Sequence, residues 1–380
     1  MTILPLRVMM IGPAPAGPKS RGGMATVAAL MAQHPDSRFE VAVVPTFVDA
    51  AAWQRLSVGV CGMLRGTWAV LRGRVDLVHV HLSHGGSVVR KALPLLAARH
   101  AGVPAVIHGH SFDFGGWFDG LPQLAQRVVP AVLPADRWLV LGSSHVVEYQ
   151  TRLGIPADRI QVLHNAIPLP EHAVPQTASE RVHAVMVGRL GERKGSYDVV
   201  AAVAALDPDI RRRLRVTLAG DGEIDGVAAA VAAAGLSDTI HIAGWLDERS
   251  RDDLLASAQI FLLPSRDEGL PMALLEAMAW GLAPITSTAG SIGEVITDGV
   301  NGLLVDAGRR HQIAAALRTL VTDAPMRARL GSAAREHATD FSLNRWYEQL
   351  ATVWTSLAAT FGRVDRTPSQ RPLPSREPVS

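Results

Sequence analysis

The sequence predicts an α/β protein made of two doubly wound parallel sheets in series. Three observations predict it. Short apolar runs alternate along the chain with longer Ala/Leu/Arg-rich stretches of helical length. The alternation is interrupted once, by a proline-rich polar stretch over 166–181. The 380 residues exceed what one ordinary core accommodates.

In order, the first half offers strands RVMMIG (7–12), FEVAVV (39–44), DLVHVHL (76–82), PAVIHGH (104–110), RWLVLG (137–142) and IQVLHN (160–165). Runs that are apolar on both faces suit a sheet covered by helices on both sides. ATVAALMAQH (25–34) and VVRKALPLLAARHAG (88–102) supply such helices. After the interruption come strands HAVMVGRL (183–190), RVTLAGDG (215–222), IHIAGW (240–245), IFLLPS (260–265), APITST (283–288) and GLLV (302–305). VVAAVAAL (199–206) and DGVAAAVAAAG (225–235) read as helices between them. Stretches 309–323 and 325–362 are helical too. Within the latter, Trp346, Tyr347, Leu350, Val353, Trp354 and Leu357 recur at three- and four-residue steps and demand burial. The expected organisation is a first domain over 1–170, a second over 171–340, a helix over 341–362 and a disordered Pro/Ser/Arg-rich tail over 363–380. The two domains are expected to face a cleft.

Composition narrows the class. Apolar residues make up 48% and charged residues 19%, a globular profile. One cysteine, Cys61, excludes an internal disulfide and a multi-cysteine zinc site, and fits a reducing compartment. No charged-then-apolar leader opens the chain, and the longest apolar candidate, 56–71, is short and carries Arg65. The expected location is the cytoplasm, with peripheral contact at the inner face of the membrane as an option. Charge is uneven: residues 1–170 hold 15 Lys+Arg against 9 Asp+Glu, or +6, and the remainder 22 against 26, or −4. A basic first half is either composition or an attraction to an anionic surface or acceptor. No nucleic-acid partner is expected.

The chemistry concentrates after strand ends of the second half. RDEGLPMALLEAMAWGLAPI (266–285) places Glu268 in a loop and Glu276 on an apolar helix, where burying a carboxylate costs several kcal/mol (roughly) unless it is paired. Pro271 suits a helix start and Gly281 its end. A helix start beyond a parallel strand offers free N–H groups and positive potential to a phosphate. Two carboxylates near it suit the hydroxyl pairs of a sugar, or else Glu268 is a surface residue and Glu276 is paired with a structural arginine. Upstream, the loop Gly188-Arg189-Leu190-Gly191-Glu192-Arg193-Lys194-Gly195 brings two cations and close backbone approach, as a diphosphate requires. Lys194 is one of three lysines beside 34 arginines. Asp221 and Gly222 end another strand, and Trp245 a further one; such an edge holds a flat base.

In this order the motifs, with the segment that ends Glu294-Val295-Ile296, resemble the nucleotide-sugar glycosyltransferases of family 4, over most of residues 7–361. The resemblance implies the GT-B architecture of two Rossmann-like domains, with the last helix crossing back to the first. It implies that Glu268 lies by the donor sugar, that Glu276 binds the nucleotide ribose, and that Arg189 and Lys194 hold the diphosphate. Gly269, Leu270 and Pro271 would lie against that diphosphate, with a main-chain N–H at Leu270 and none at Pro271. In the first domain Arg21-Gly22-Gly23-Met24 matches the glycine-rich loop facing donor and acceptor. A histidine beside the reacting sugar falls on His108 or His110, with His110 preferred because it lies further beyond the strand; Ser111 replaces the usual glycine. Asn165 matches an Asn-Gly turn, with Ala166 in place of glycine.

The implied reaction is retaining transfer from a nucleotide-diphosphate sugar, linked to uridine or guanosine, to a glycan or lipid-linked glycan, without a metal or other cofactor. His79, His81 and His84 have a spacing that could suggest a metal, but the family's transfer needs none. Two rival readings share the architecture: a sugar-nucleotide 2-epimerase and a non-catalytic sugar-nucleotide-binding protein. A nicotinamide dehydrogenase is disfavoured, since Gly12-Pro13-Ala14-Pro15 lacks the glycine fingerprint. Residues 53–74 set Trp53, Leu56, Val60, Leu64, Trp68 and Leu71 beside Arg55, Arg65, Arg72 and Arg74. This is either a core-facing helix with solvated arginines or a membrane-touching one.

Overall fold

The computed structural model describes residues 4–17, 20–170 and 181–363. The linker expected over 166–181 and the tail over 363–380 therefore lie mostly outside the described residues. The chain forms two compact units. The first comprises the described residues to His164 and those from Asn344; the second runs from Asn165 to Leu343.

The first unit has six parallel strands: β1 (Leu6–Pro13), β2 (Phe39–Phe47), β3 (Leu77–Leu82), β4 (Ala105–Gly109), β5 (Arg137–Val140) and β6 (Ile160–Val162), in the order β2-β1-β3-β4-β5-β6. Met9, Ile11, Val78, Val80 and Ile107 on these strands are buried with Leu95, Trp138 and Tyr149 in one core. The helix Ala52–Leu71 turns Gly59, Gly62 and Gly66 inward. At Gly62 an added Cβ would fall 2.0 Å from the Pro45 carbonyl oxygen, so the small residues let the helix lie directly on β2.

The second unit is also parallel throughout: β7 (Val182–Val187), β8 (Leu214–Ala219), β9 (Ile240–Gly244), β10 (Ile260–Leu263), β11 (Ala283–Thr286) and β12 (Leu303–Leu304), ordered β12-β11-β10-β7-β8-β9. Counted within the unit, this is the 3-2-1-4-5-6 order of dinucleotide-type doubly wound sheets. All twelve expected strands are present.

The two compact units divide a few residues before the expected boundary at 170. The division falls at His164/Asn165, because the segment after β6 is bound to the second unit: the Ile167 N–H donates to the Phe341 carbonyl at 2.9 Å. The helical stretch 325–362 divides where a separate last helix over 341–362 is expected. It breaks into Ala324–Ala338, a short 3₁₀ turn and Leu343–Thr360. The last helix belongs to the first unit and buries Trp346, Leu350, Val353, Trp354 and Leu357, as its stripe demands. The Tyr347 hydroxyl donates to the Leu30 carbonyl at 2.8 Å, and the Trp354 ring lies 5.2 Å from Phe39.

Candidate active site

β7 and β10 lie side by side, and the chain leaves them toward opposite sheet edges. A crevice opens beyond the carboxyl ends of strands at such a switch point. The loops after these two strands are the ones that carry the candidate cations and carboxylate.

The two loops are joined. Arg266 N–H donates to the Arg193 carbonyl and the Arg193 guanidinium to the Asp267 carbonyl, each at 2.8 Å. Lys194 Nζ lies 2.5 Å from Glu268 Oε1, with the two side chains 14% and 7% exposed. The Ser265 hydroxyl donates to the same oxygen at 2.7 Å. Gly195 makes this approach possible: it sits at φ +80°, and a Cβ there would fall 2.6 Å from the Pro264 carbonyl oxygen. Arg189, by contrast, is exposed, and no carboxylate pairs with it among the described residues.

The loop 265–270 is braced from behind. Ser291 N–H donates to the Gly269 carbonyl at 2.9 Å, and Asn165 Nδ2 donates to the Leu270 carbonyl at 2.6 Å. Gly290, at φ +59°, packs so close that a Cβ would lie 2.0 Å from the Glu268 carbonyl oxygen. The Leu270 N–H has no hydrogen-bond partner among the described residues. Pro271 caps the helix Met272–Ala279 rather than occupying its first turn, and Gly281 takes the left-handed position after it at φ +77°.

Glu276, on that helix, is 9% exposed. Burial pushes its carboxyl up from the ordinary value, and Arg251 opposes the shift. Arg251 Nη1 is 3.4 Å from Glu276 Oε1. An arginine partner is thus present, as one of the two sequence readings expects, and it reaches one of the two carboxylate oxygens. Gly188, Asp221, Gly222 and Trp245 sit beyond the ends of β7, β8 and β9, on the same sheet edge as Glu268, Gly269 and Leu270. The Leu190 N–H donates to the Asp221 carbonyl at 2.7 Å, which ties the β7 and β8 loops together. Trp245, just past the edge strand β9, is 47% exposed.

In the first unit the histidines divide their work. His79, within β3, is fully buried; its Nδ1 accepts from Trp354 Nε1 at 3.1 Å, which anchors the last helix. Burial pushes its pKa down to about 3. His84 Nδ1 meets the buried Ser111 hydroxyl at 2.7 Å. The trio with metal-like spacing, His79, His81 and His84, is therefore spread over separate contacts. The trio that does converge is His81, His108 and His110, whose ring nitrogens lie within 4.8 Å of one another. His81 Nδ1 and His110 Nε2 share a hydrogen bond at 2.8 Å. His108 is fully buried in β4, whereas His110 lies just past the strand and is partly exposed. Burial holds His110 well below the ordinary histidine range, and His108, His79 and His145 add to the effect. Gly22 caps the helix Gly23–Ala32 at φ +92° with no atom within 4 Å of an added Cβ, and both glycines are exposed.

Sequence reasoning missed Ser265, Arg251, Asn165 as a brace and Gly290. Ser265 had a signal, lying three residues before Glu268 at a strand end. Arg251 and Gly290 are distant in sequence and had none.

Comparisons with known proteins agree with this architecture. The family model described as "Glycosyl transferase 4-like domain" matches residues 8–166, and that described as "Glycosyl transferases group 1" matches residues 170–337. A D-inositol 3-phosphate glycosyltransferase of Salinispora arenicola is 26% identical over 79% of this chain and 73% of its own length. An alpha-D-kanosaminyltransferase of Streptomyces kanamyceticus is also 26% identical, over 77% of this chain and 84% of its own. Among solved structures, Anabaena HepE in complex with UDP-glucose superposes with a TM-score of 0.71 at 17% identity, covering 92% of this chain and 100% of that one. The protein is a glycosyltransferase with the two-domain, Rossmann-like GT-B fold. Within that class it belongs to the family-4 type.

Proposed function

We propose that the protein transfers a sugar, with retention of configuration, from a uridine- or guanosine-diphosphate sugar to a glycan or lipid-linked glycan in polysaccharide or glycolipid synthesis. The observation that carries the donor reading is the joined pair of loops at the β7/β10 switch point. There Lys194 is bonded to Glu268, Arg189 follows β7 on the same sheet edge, and the Leu270 N–H is unbonded among the described residues. Leaving-group departure places charge on phosphate oxygens. Two cations and a helix start stabilise that charge without needing a metal ion. The binding of UDP-glucose by Anabaena HepE supports a nucleotide-sugar donor.

Glu268 orients a donor-sugar hydroxyl, and its bond to Lys194 couples sugar and diphosphate positions. Glu276 accepts from the ribose hydroxyls, with Asp221, Gly222 and Trp245 along the same edge toward the base. His110, just past β4 and partly exposed, offers an imidazole to a sugar hydroxyl. Gly22 and Gly23 leave backbone open to donor or acceptor.

The test is turnover of uridine- and guanosine-diphosphate sugars with the product's anomeric configuration read by proton NMR. Release of nucleoside diphosphate with a retained anomeric centre is expected, and Glu268→Gln should lower turnover more than nucleotide affinity. A 2-epimerised sugar as the product would overturn the proposal in favour of an epimerase, and no turnover of any nucleotide sugar would overturn it outright.

A further inference from the structure

The apolar stripe of the helix Ala52–Leu71 does not face the core. Its glycines do, and Trp53, Leu56, Val60, Leu64, Trp68 and Leu71 are all exposed, Trp53 by 70% and Leu56 by 69%. The helix does not stand alone. It packs beside Gly86–His100, which packs beside Gln123–Val132. The second helix exposes Val89, Leu93 and Leu96, and the third Leu124 and Val128. Three neighbouring helices of one unit therefore turn apolar side chains outward at helical spacing. Scattered exposed leucines need no explanation, but apolar side chains gathered on neighbouring helices of one unit point to an interaction surface.

Charge selects the occupant. None of the three helices contains an aspartate or glutamate. They carry Arg55, Arg65, Arg90, Arg99 and Arg127. At the end of the first helix the Arg74 and Arg72 guanidinium carbons lie 4.4 and 5.2 Å from the Trp68 ring centre. A second copy docking here would bring cation against cation. An anionic bilayer offers what each part requires: hydrocarbon for leucine and valine, the interface for tryptophan, and phosphate for arginine. Among the described residues no helix is long and apolar enough to cross a membrane, so insertion would be parallel to the surface.

We infer that this three-helix face seats the first unit on an anionic lipid surface. The inference stands apart from the donor site, and its test keeps the two apart. Cys61, the single cysteine, is exposed on the same helix and accepts an environment-sensitive maleimide dye. The labelled protein is mixed with phosphatidylcholine vesicles, with or without about one third phosphatidylglycerol. A blue shift and co-flotation are expected with the anionic vesicles alone, and both should weaken as salt rises. Leu56→Gln with Leu64→Gln changes only exposed positions; it should weaken vesicle binding by about tenfold or more. Nucleoside-diphosphate binding should stay unchanged in that variant. Absence of binding to anionic vesicles would overturn the inference, as would equal binding by the double variant. Self-association that the double variant abolishes, without vesicle binding, would assign the face to a second copy instead.

Discussion

Replacing Lys194 should damage the fold before it damages any reaction. Lys194 and Glu268 are both largely buried and 2.5 Å apart. Lys194→Met leaves the Glu268 carboxylate in place with the Ser265 hydroxyl as its remaining polar contact at 2.7 Å. Removing one member of a buried pair typically costs about 3–5 kcal/mol, because the other charge stays desolvated. The 14% exposure of Lys194 lets some water reach the site, so about 3 kcal/mol is expected. Glu268→Gln alone should cost about 2 kcal/mol, since the amide still accepts from Ser265 but no longer neutralises the lysine. The two changes together should cost clearly less than their sum, with a coupling of about 2 kcal/mol. Urea unfolding monitored by fluorescence and by hydrogen exchange in the second unit gives the three values. Strict additivity, or a loss under about 1 kcal/mol for Lys194→Met, would refute the pairing as a buried ion pair.

Acid should weaken the first unit through its histidines. His79 has a folded pKa near 3, below its unfolded value, so the unfolded chain binds the extra proton between them. Its stabilisation is present above about pH 6.5 and declines as pH falls through that window toward 3, by up to about 4–5 kcal/mol. His81, His108 and His110 shift the same way. Hydrogen exchange of β3 and β4 at pH 5 against pH 7 measures it, and equal protection at both would contradict it. Truncation tests the last helix: a chain ending at Gly362 should stay monodisperse, and one ending at Asp340 should aggregate. A monodisperse, active protein ending at Asp340 would show that Trp354 and its neighbours do not complete the first unit's core.

Much of the fold was legible in the sequence because strands buried on both faces are spelled in unbroken apolar runs, and β-α alternation permits few topologies. The 3.6-residue stripe of the last helix announced its burial for the same reason. The stripe at 53–71 had the same period and the opposite fate. Periodicity shows that one helix face differs from the other, not which face is inside. The inward face was decided by Gly59, Gly62 and Gly66, whose missing side chains let the helix touch β2. The Lys194–Glu268 bond was equally illegible, since 74 residues separate its partners. In the sequence each residue serves the donor separately, and only the pairing of β7 with β10 brings the two together.

Isothermal titration of Arg189→Ala with a nucleoside diphosphate and with the parent nucleoside tests the donor site most directly. Arg189 is exposed and has no carboxylate partner among the described residues, so its removal should leave the fold intact. A charge-assisted contact to phosphate is worth about 1.5–3 kcal/mol, or about 10- to 150-fold in affinity. The variant should lose that factor for uridine or guanosine diphosphate, whichever the native protein binds, and bind the matching nucleoside as the native protein does. Equal losses for diphosphate and nucleoside, or no loss for either, would remove the β7 loop from the diphosphate and contradict the assignment of the switch-point crevice as the donor site.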